Sequence, residues 1–321
     1  MQSLWFVTSW GNQFMSNSFK LSACALAFVT VLPLGLSALS SSAPSTPPLI
    51  EPPSSITLTG VVRDFRERSK QGGHPDFERQ PEHGFGHYCN NVQPTLGANN
   101  KPVFKGGGFK VRSGYEWRNS AGKNICWRLY DPARGDLIGK KDGSYTDNGG
   151  LTTAANFDKW FQDDLAINVS AALTMTLNRQ ANGTYVFDSA TDPACVALGG
   201  FFPIEGQLFG NPGGTPNRNF HFTYELATEF TYKSDGAQVF TFRGDDDVFV
   251  YINGQLVIDL GGVHGAIEQV VELNRLNLTD GETYDLKFFF AERHRTQSNF
   301  KITTNLQLQT VELPTVSCAF D

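Results

Sequence analysis

The chain has 321 residues with 26 basic and 32 acidic side chains, for a formal charge of −6. That balance lacks the basic face a nucleic-acid partner requires, so none is expected. An aromatic content of 12% argues against a disordered chain, and 32 glycines with 16 prolines favour a turn-rich β protein over a helical bundle.

The chain begins with an address. Residues 21–36 form an uncharged apolar run, preceded by Lys20 and containing Pro33. The run is short for a membrane span and suits the core of a signal peptide, with Ala38-Leu39-Ser40 supplying small residues for cleavage. Residues 1–40 are read as that signal, Met15 being the more ordinary start, and the product as secreted and extracellular. A retained anchor is the competing reading. Residues 41–55 carry five prolines and form a stiff linker.

Once Cys24 has left with the signal, Cys89, Cys126, Cys195 and Cys318 remain. An even count in a secreted chain reads as two disulfides, with the pairing open. His83, His87 and Cys89 lie close together, but without the second cysteine pair typical of a zinc site.

Residues 56–321 are read as one domain. An opening strand is expected at 56–62, then a loop-rich stretch over 65–150. Ala154, Phe157, Trp160, Phe161 and Leu165 recur at helical spacing and predict a helix over 153–165, capped by Thr152 or Thr153. Strands are expected at 171–177, 183–187, 220–232, 238–242, 248–252, 255–260, 269–273, 283–291 and 300–308. Short strands with turns between them indicate an all-β antiparallel sandwich or barrel, with one or two helical and loop insertions.

The sharpest local signal is Asn253-Gly254 between two β-rich runs, a two-residue hairpin turn. If Ile252 pairs with Gln255, Asp246 faces Gly261 and Asp245 faces Gly262, about 16 Å from the turn at ~3.3 Å per residue. Three acids (Asp245, Asp246, Asp247), two glycines and His264 then meet at one end of the hairpin. Unit charges 4 Å apart repel by ~4 kcal/mol at a surface-like dielectric. Ca²⁺, which accepts carboxylates in flexible geometry, removes that repulsion, and the glycines leave room for a ligand. The simpler reading is solvated acids at a strand end.

The segments GDDDVFVYINGQLVIDLGGVHG and FFFAERHRTQSNFKITTNL, with RDF, HPDFE, NFDKWFQD, FFPIEG and NFHFT, resemble the fibro-slime family over 56–308. That family is related to the protective-antigen-type β-barrel of calcium-dependent adhesins. The resemblance implies a barrel with a glycan site at one end, where two aspartates joined by a cis peptide hold Ca²⁺ and the ion meets sugar hydroxyls. The matching positions are Asp245 and Asp246. The loop 293–299 would complete the site, with Asn299 or Gln297 as the remaining side-chain ligand. Asp247, Gly261, Gly262, His264, Arg293, His294 and Gln297 are the candidate glycan-contacting residues. The basic run Arg293-His294-Arg295 departs from the sugar binders.

Two functions follow as expectations. One is a secreted, calcium-dependent module that binds a glycan or polysaccharide in adhesion or in an extracellular matrix. The other is a structural matrix protein acting through cell-surface or matrix protein contacts. Catalysis is not expected, because neighbouring acids in one loop do not place two carboxyls across a cleft. Trp117 and Trp127 are read as sugar platforms or as core.

Overall fold

A computed structural model describes residues 51–311. The segment read as a signal peptide (residues 1–40), residues 41–50 of the expected linker and Cys318 lie outside the described residues. Thirteen strands form: β1 (Ser55–Phe65), β2 (Tyr88–Cys89), β3 (Phe109–Lys110), β4 (Asn168–Arg179), β5 (Tyr185–Asp188), β6 (Phe222–Thr231), β7 (Val239–Gly244), β8 (Asp247–Ile252), β9 (Gln255–Leu260), β10 (Ile267–Glu272), β11 (Thr283–Glu292), β12 (Phe300–Thr304) and β13 (Gln309–Thr310). All but β2 and β3 join one antiparallel sheet in the order β10-β7-β12-β5-β4-β1-β6-β11-β8-β9, with β13 also on β6. The sheet curls into a nearly closed barrel. Its two ends are stitched where Asp259 N on β9 donates to the Gln269 side chain on β10.

The period-two pattern gives each strand two faces. Val248, Val250, Phe288, Phe290, Phe242 and Phe300 fill the barrel interior. Phe249, Tyr251, Phe289 and Ala291 face outward, yet they are buried too, because Phe77, Phe157, Trp160 and Phe161 cover them. The loop-rich stretch is thus a second layer that shields one outer face of the barrel. It carries a small core of its own around Cys89, Phe109, Val111, Trp117 and Ile125.

The helix expected over 153–165 is shorter. α1 (Ala154–Phe157) gives way to a 3₁₀ turn at Asp158–Phe161, with the Thr153 side chain capping Asn156 N. Leu165 lies beyond both and is exposed, so the aromatic stripe is real but one turn shorter than its spacing suggested. A second helix, α2 (Pro193–Leu198), is capped by Asp192; it falls within the one or two helical insertions expected, at a place the sequence reading did not mark.

Both tryptophans pack as core rather than as sugar platforms. Trp117 is buried, and Trp127 donates its Nε1–H to Asp259 at 2.9 Å. Cys89, Cys126 and Cys195 are free thiols. Any pairing of four cysteines into two bridges must join two of these three, so the two-disulfide expectation is not met. Cys89 instead faces His87 Nε2 at 3.2 Å, and burial pushes the Cys195 thiol up to about 12.

Candidate functional site: a carboxylate cluster at the barrel rim

The rim is built where β7 ends at Gly244, β8 begins at Asp247, β11 ends at Glu292 and β12 begins at Phe300. Gly244 pairs with both Ile267 and Phe300, and Asp247 pairs with Ala291. Asp245 and Asp246 bridge β7 and β8, and the peptide between them is cis.

The hairpin turn at Asn253-Gly254 forms with both residues at positive φ. The pairing differs from expectation beyond Val250, however. Tyr251 faces Leu256 but Val250 faces Ile258, so Val257 is an extra residue in β9. The bulge advances every later pair by one. Gly262 thus comes level with Asp246 rather than Asp245, and its N–H donates to the neighbouring Asp247 Oδ1 at 2.7 Å.

The three acids then separate. Asp246 turns toward the interior end of the barrel. Its Oδ1 accepts from His264 N at 3.2 Å, and its Oδ2 from Arg293 N at 3.3 Å. Asp245 is held by Asn299, whose backbone N–H reaches Oδ1 at 2.6 Å and whose Nδ2 reaches Oδ2 at 2.8 Å. Glu292 joins them, fully buried. Its Oε1 accepts from His294 N at 3.4 Å, and its Oε2 has no partner.

Burial pushes all three carboxyls upward. Asp246 and Asp245 raise Glu292 further; at Asp246 the nearby Arg293 guanidinium offsets part of the rise, while Asp247 and Asp245 add to it. At Asp245, the Asn299 hydrogen bonds offset part of the rise. Hard oxygen donors, an orphaned buried carboxylate oxygen and mutual repulsion are what a divalent cation relieves. Asp245, Asp246, Glu292 and Asn299 are the candidates to hold one here, although among the described residues only Glu67, Glu78 and His221 already bring three ligand atoms within 4.8 Å of one another.

Asp247 belongs to the other face. Arg293, itself fully buried, pairs with it through Nε and through Nη2 at 3.3 Å. The same guanidinium donates to the carbonyls of Asp76 and Gly149. Neither residue is open to a glycan, which corrects the expectation for both.

The rest of the basic run is also engaged. His294 Nδ1 lies 2.9 Å from Glu78, and Arg295 Nη2 lies 2.7 Å from Glu67. His221 adds a contact to Glu78 at 2.8 Å. Burial would raise Glu78, but hydrogen bonds from His221 and His294 outweigh it and hold the carboxyl far below its usual range. Glu67, Glu78 and His221 lie close enough to share a metal ion. Arg295 already reaches two of them, with Nη2 2.7 Å from Glu67 and Nε 3.6 Å from Glu78.

Gly261 and Gly262 make room for protein rather than for ligand. A Cβ on Gly262 would lie 2.4 Å from the Tyr88 ring and 2.7 Å from Gly86 O, and Gly261 exchanges backbone hydrogen bonds with Tyr88. His264 places its backbone at Asp246 and its ring against the second layer. Gln297 is exposed at the loop tip. His83 donates to Asp147 at 2.8 Å, and His87 lies between Glu116 and the Asp259 carbonyl, so HGFGHYC is tied into hydrogen bonds.

Glu292 escaped notice in the sequence, though a signal was there. It continues the inward set Phe288, Phe290, Glu292 on β11, and an acid in register with core phenylalanines demands a partner.

Residues 211–319 match the PA14 domain, a β-barrel-type domain related to anthrax protective antigen, and the barrel has that fold. The chain is homologous to psi proteins of Dictyostelium discoideum. It is 38% identical to protein psiD over 173 residues, which is 51% of this chain and 32% of psiD. Over 175 residues it is 41% identical to protein psiI, covering 50% of this chain and 23% of psiI. The match to protein psiH is longer, 31% identical over 268 residues, or 80% of this chain and 31% of psiH. The chain thus spans about a third or less of the length of these curated relatives.

Proposed function

We propose that this protein is a secreted, calcium-dependent carbohydrate-binding module acting in adhesion or in an extracellular polysaccharide matrix of the fibro-slime type. One observation carries the reading: Asp245, Asp246 and Glu292 are buried together, and no cationic side chain is hydrogen-bonded to them among the described residues. PA14 domains are often carbohydrate-binding or adhesion-related, which supports the same reading. When bound, Ca²⁺ supplies positive charge and open positions that sugar hydroxyls can fill. The chain's own part is positional. Asn299 fixes Asp245, the backbone N–H groups of His264 and Arg293 fix Asp246, and the His294 backbone fixes Glu292. Binding without turnover is the role proposed, since these acids gather at one rim instead of facing each other across a cleft.

The depth of the carboxylates favours a second reading. Asp245 and Asp246 are 2% and 3% exposed. An ion there could hold the rim together while protein contacts elsewhere do the work in a matrix.

Calorimetric titration of Ca²⁺ into wild type and Asp245→Asn/Asp246→Asn, followed by glycan-array binding with and without chelator, separates these readings. Wild type is expected to bind Ca²⁺ and gain about 2.7 kcal/mol of stability at one hundred times Kd. The double variant should gain none. Calcium-dependent stability without any glycan bound would select the matrix reading, and absence of Ca²⁺ binding would reject both.

A further inference from the structure

The two poles of the barrel differ in what they expose. The sequence holds Asn-x-Ser/Thr triplets that begin at Asn168, Asn182 and Asn277. Such a triplet is the acceptor for an N-linked oligosaccharide in a eukaryotic secretory route, and the modified amide must stay at the surface. The fold places the three asparagines in different environments.

Asn168 opens β4 opposite Phe65 and is fully buried. Its Nδ2 donates to the carbonyls of Lys159 and Gln162 at 3.1 and 3.0 Å, and its Oδ1 accepts from Asp164 N at 3.2 Å. A sugar on Nδ2 would remove one of these donors and strand a buried carbonyl. It would also need space that a packed interior does not hold.

Asn182 is exposed in the turn between β4 and β5. Its Oδ1 accepts from Thr184 N at 3.1 Å and from Thr184 Oγ1 at 2.8 Å, so the carbonyl is tied down while Nδ2 has no partner among the described residues. Asn277 is exposed as well. Its neighbours Leu276 and Leu278 pack against the barrel core, which turns the residue between them outward. Its side chain likewise has no hydrogen-bond partner among the described residues.

Both open asparagines stand at the pole away from the carboxylates. β12 leaves the rim at Phe300, and its far residue Thr304 pairs with Tyr185, beside the Asn182 turn. β10 leaves the rim at Ile267 and ends at Glu272, whereas β11 starts at Thr283 and returns to the rim at Glu292. Asn277 lies between those two far ends. The ten residues of β11 at ~3.3 Å each put about 30 Å between the poles. Residues 51–54 reach the same far pole, where Ser54 O accepts from Arg179 N at 2.8 Å and Pro53 O from Tyr185 Oη at 2.9 Å. Asn168 is the one on the rim side, since its neighbour strand pairs Asp64 with Phe222, and Phe222 pairs with Glu292.

We propose that Asn182 and Asn277 carry N-linked oligosaccharides and Asn168 does not, so that covalent glycans share the pole of residues 51–54 and leave the carboxylate rim bare. The inference rests on the secreted reading and requires neither Ca²⁺ nor sugar binding at the rim. The co-substrate is an oligosaccharide linked through its C1 to a polyprenyl diphosphate. The C1–N bond to Nδ2 forms as the C1–O bond breaks, the amide gives up one proton, and the polyprenyl diphosphate leaves. Nothing is oxidised or reduced.

The test expresses the full chain in a eukaryotic cell and collects the folded protein from medium and membranes. An amidase that releases N-glycans in heavy-oxygen water converts each occupied asparagine into labelled aspartate, which peptide mass spectrometry locates. Label is expected at 182 and 277, with plain asparagine at 168. Asn182→Gln and Asn277→Gln should each remove one step of gel mobility, and the double variant should run with enzyme-treated wild type. A second chain, in which a proven signal sequence replaces residues 1–40, separates the inference from its premise. Label at 182 and 277 with the substitute leader alone overturns the secreted reading and retains the assignment. Label at 168 in folded protein, or a bare 182 or 277 with both leaders, overturns the assignment itself.

Discussion

Asp246 and Asp247 are chain neighbours and both feel the Arg293 charge, yet they hydrogen-bond to different groups. On the outer face Asp247 meets Arg293, and nearby Glu67 and Glu78 meet Arg295, His294 and His221. On the inner side Asp246, Asp245 and Glu292 are hydrogen-bonded to backbone N–H groups and Asn299, and the Arg293 charge reaches Asp246 without a side-chain hydrogen bond. The outer half is complete as protein. The inner half is held by backbone N–H groups and Asn299 alone, with no cationic side chain hydrogen-bonded to its acids among the described residues, so a run of like charges in a sequence is one cluster on paper and two in space.

The largest way to break this comparison is to remove the cation on the outer side. Arg293→Met strands Asp247 and two carbonyls in a dry environment. Losing one partner of a buried pair costs about 3–5 kcal/mol. Urea unfolding should show that loss, in chelator and in Ca²⁺ alike. A loss below about 1 kcal/mol would mean that the outer half is not locked by this pair.

Asp64 sharpens the comparison as a buried acid with neither a paired cation nor a crowd of acids. Asn219 Nδ2 and Phe209 N donate to it at 2.9 and 2.8 Å, and burial, only partly offset by these bonds, pushes its pKa up to about 7. Because the folded value lies above the unfolded one, the native state holds this proton longer than the unfolded chain. Stability referable to Asp64 is therefore greatest below about pH 4 and declines as pH rises to about 7, by at most about 4 kcal/mol. Subtracting the pH–stability curve of Asp64→Asn from that of wild type should expose the slope. Parallel curves would show that Asp64 ionises in place without cost.

How much of this was legible beforehand depended on whether the deciding contact was local. Strand positions followed from period-two patterning, and Gln255–Leu260 was read to the residue because Asn253-Gly254 fixes where β9 begins. The bulge at Val257 was not legible, since nothing in QLVIDL distinguishes an extra residue from a paired one, and one residue moved Gly261 from Asp246 toward Asp247 and Gly262 from Asp245 toward Asp246. Arg293 read as a ligand-facing cation because its partners, Asp247 and the carbonyls of Asp76 and Gly149, come from distant segments. The second layer over 65–150 was a blank for the same reason. Its short ladders, β2 with β3 and Tyr88 with Gly261, are set by packing on the barrel rather than by any run of propensity.

The smallest expected effect is at Asn299, and it is the most discriminating. Asn299→Ala removes the Nδ2 bond to Asp245 but keeps the backbone N–H, so about 1 kcal/mol should be lost in chelator. If Asn299 also faces an ion, Ca²⁺ affinity should fall by about tenfold, which is ~1.4 kcal/mol. Asn299→Asp turns this into a question of sign. A further carboxylate beside Asp245 and Asp246 adds repulsion without an ion and a hard ligand with one. The variant should melt below wild type in chelator and show a larger Ca²⁺-induced rise in Tm. A residue that only caps Asp245 lowers Tm in both conditions, so thermal scans with and without Ca²⁺ decide whether the inner half of the rim awaits a cation.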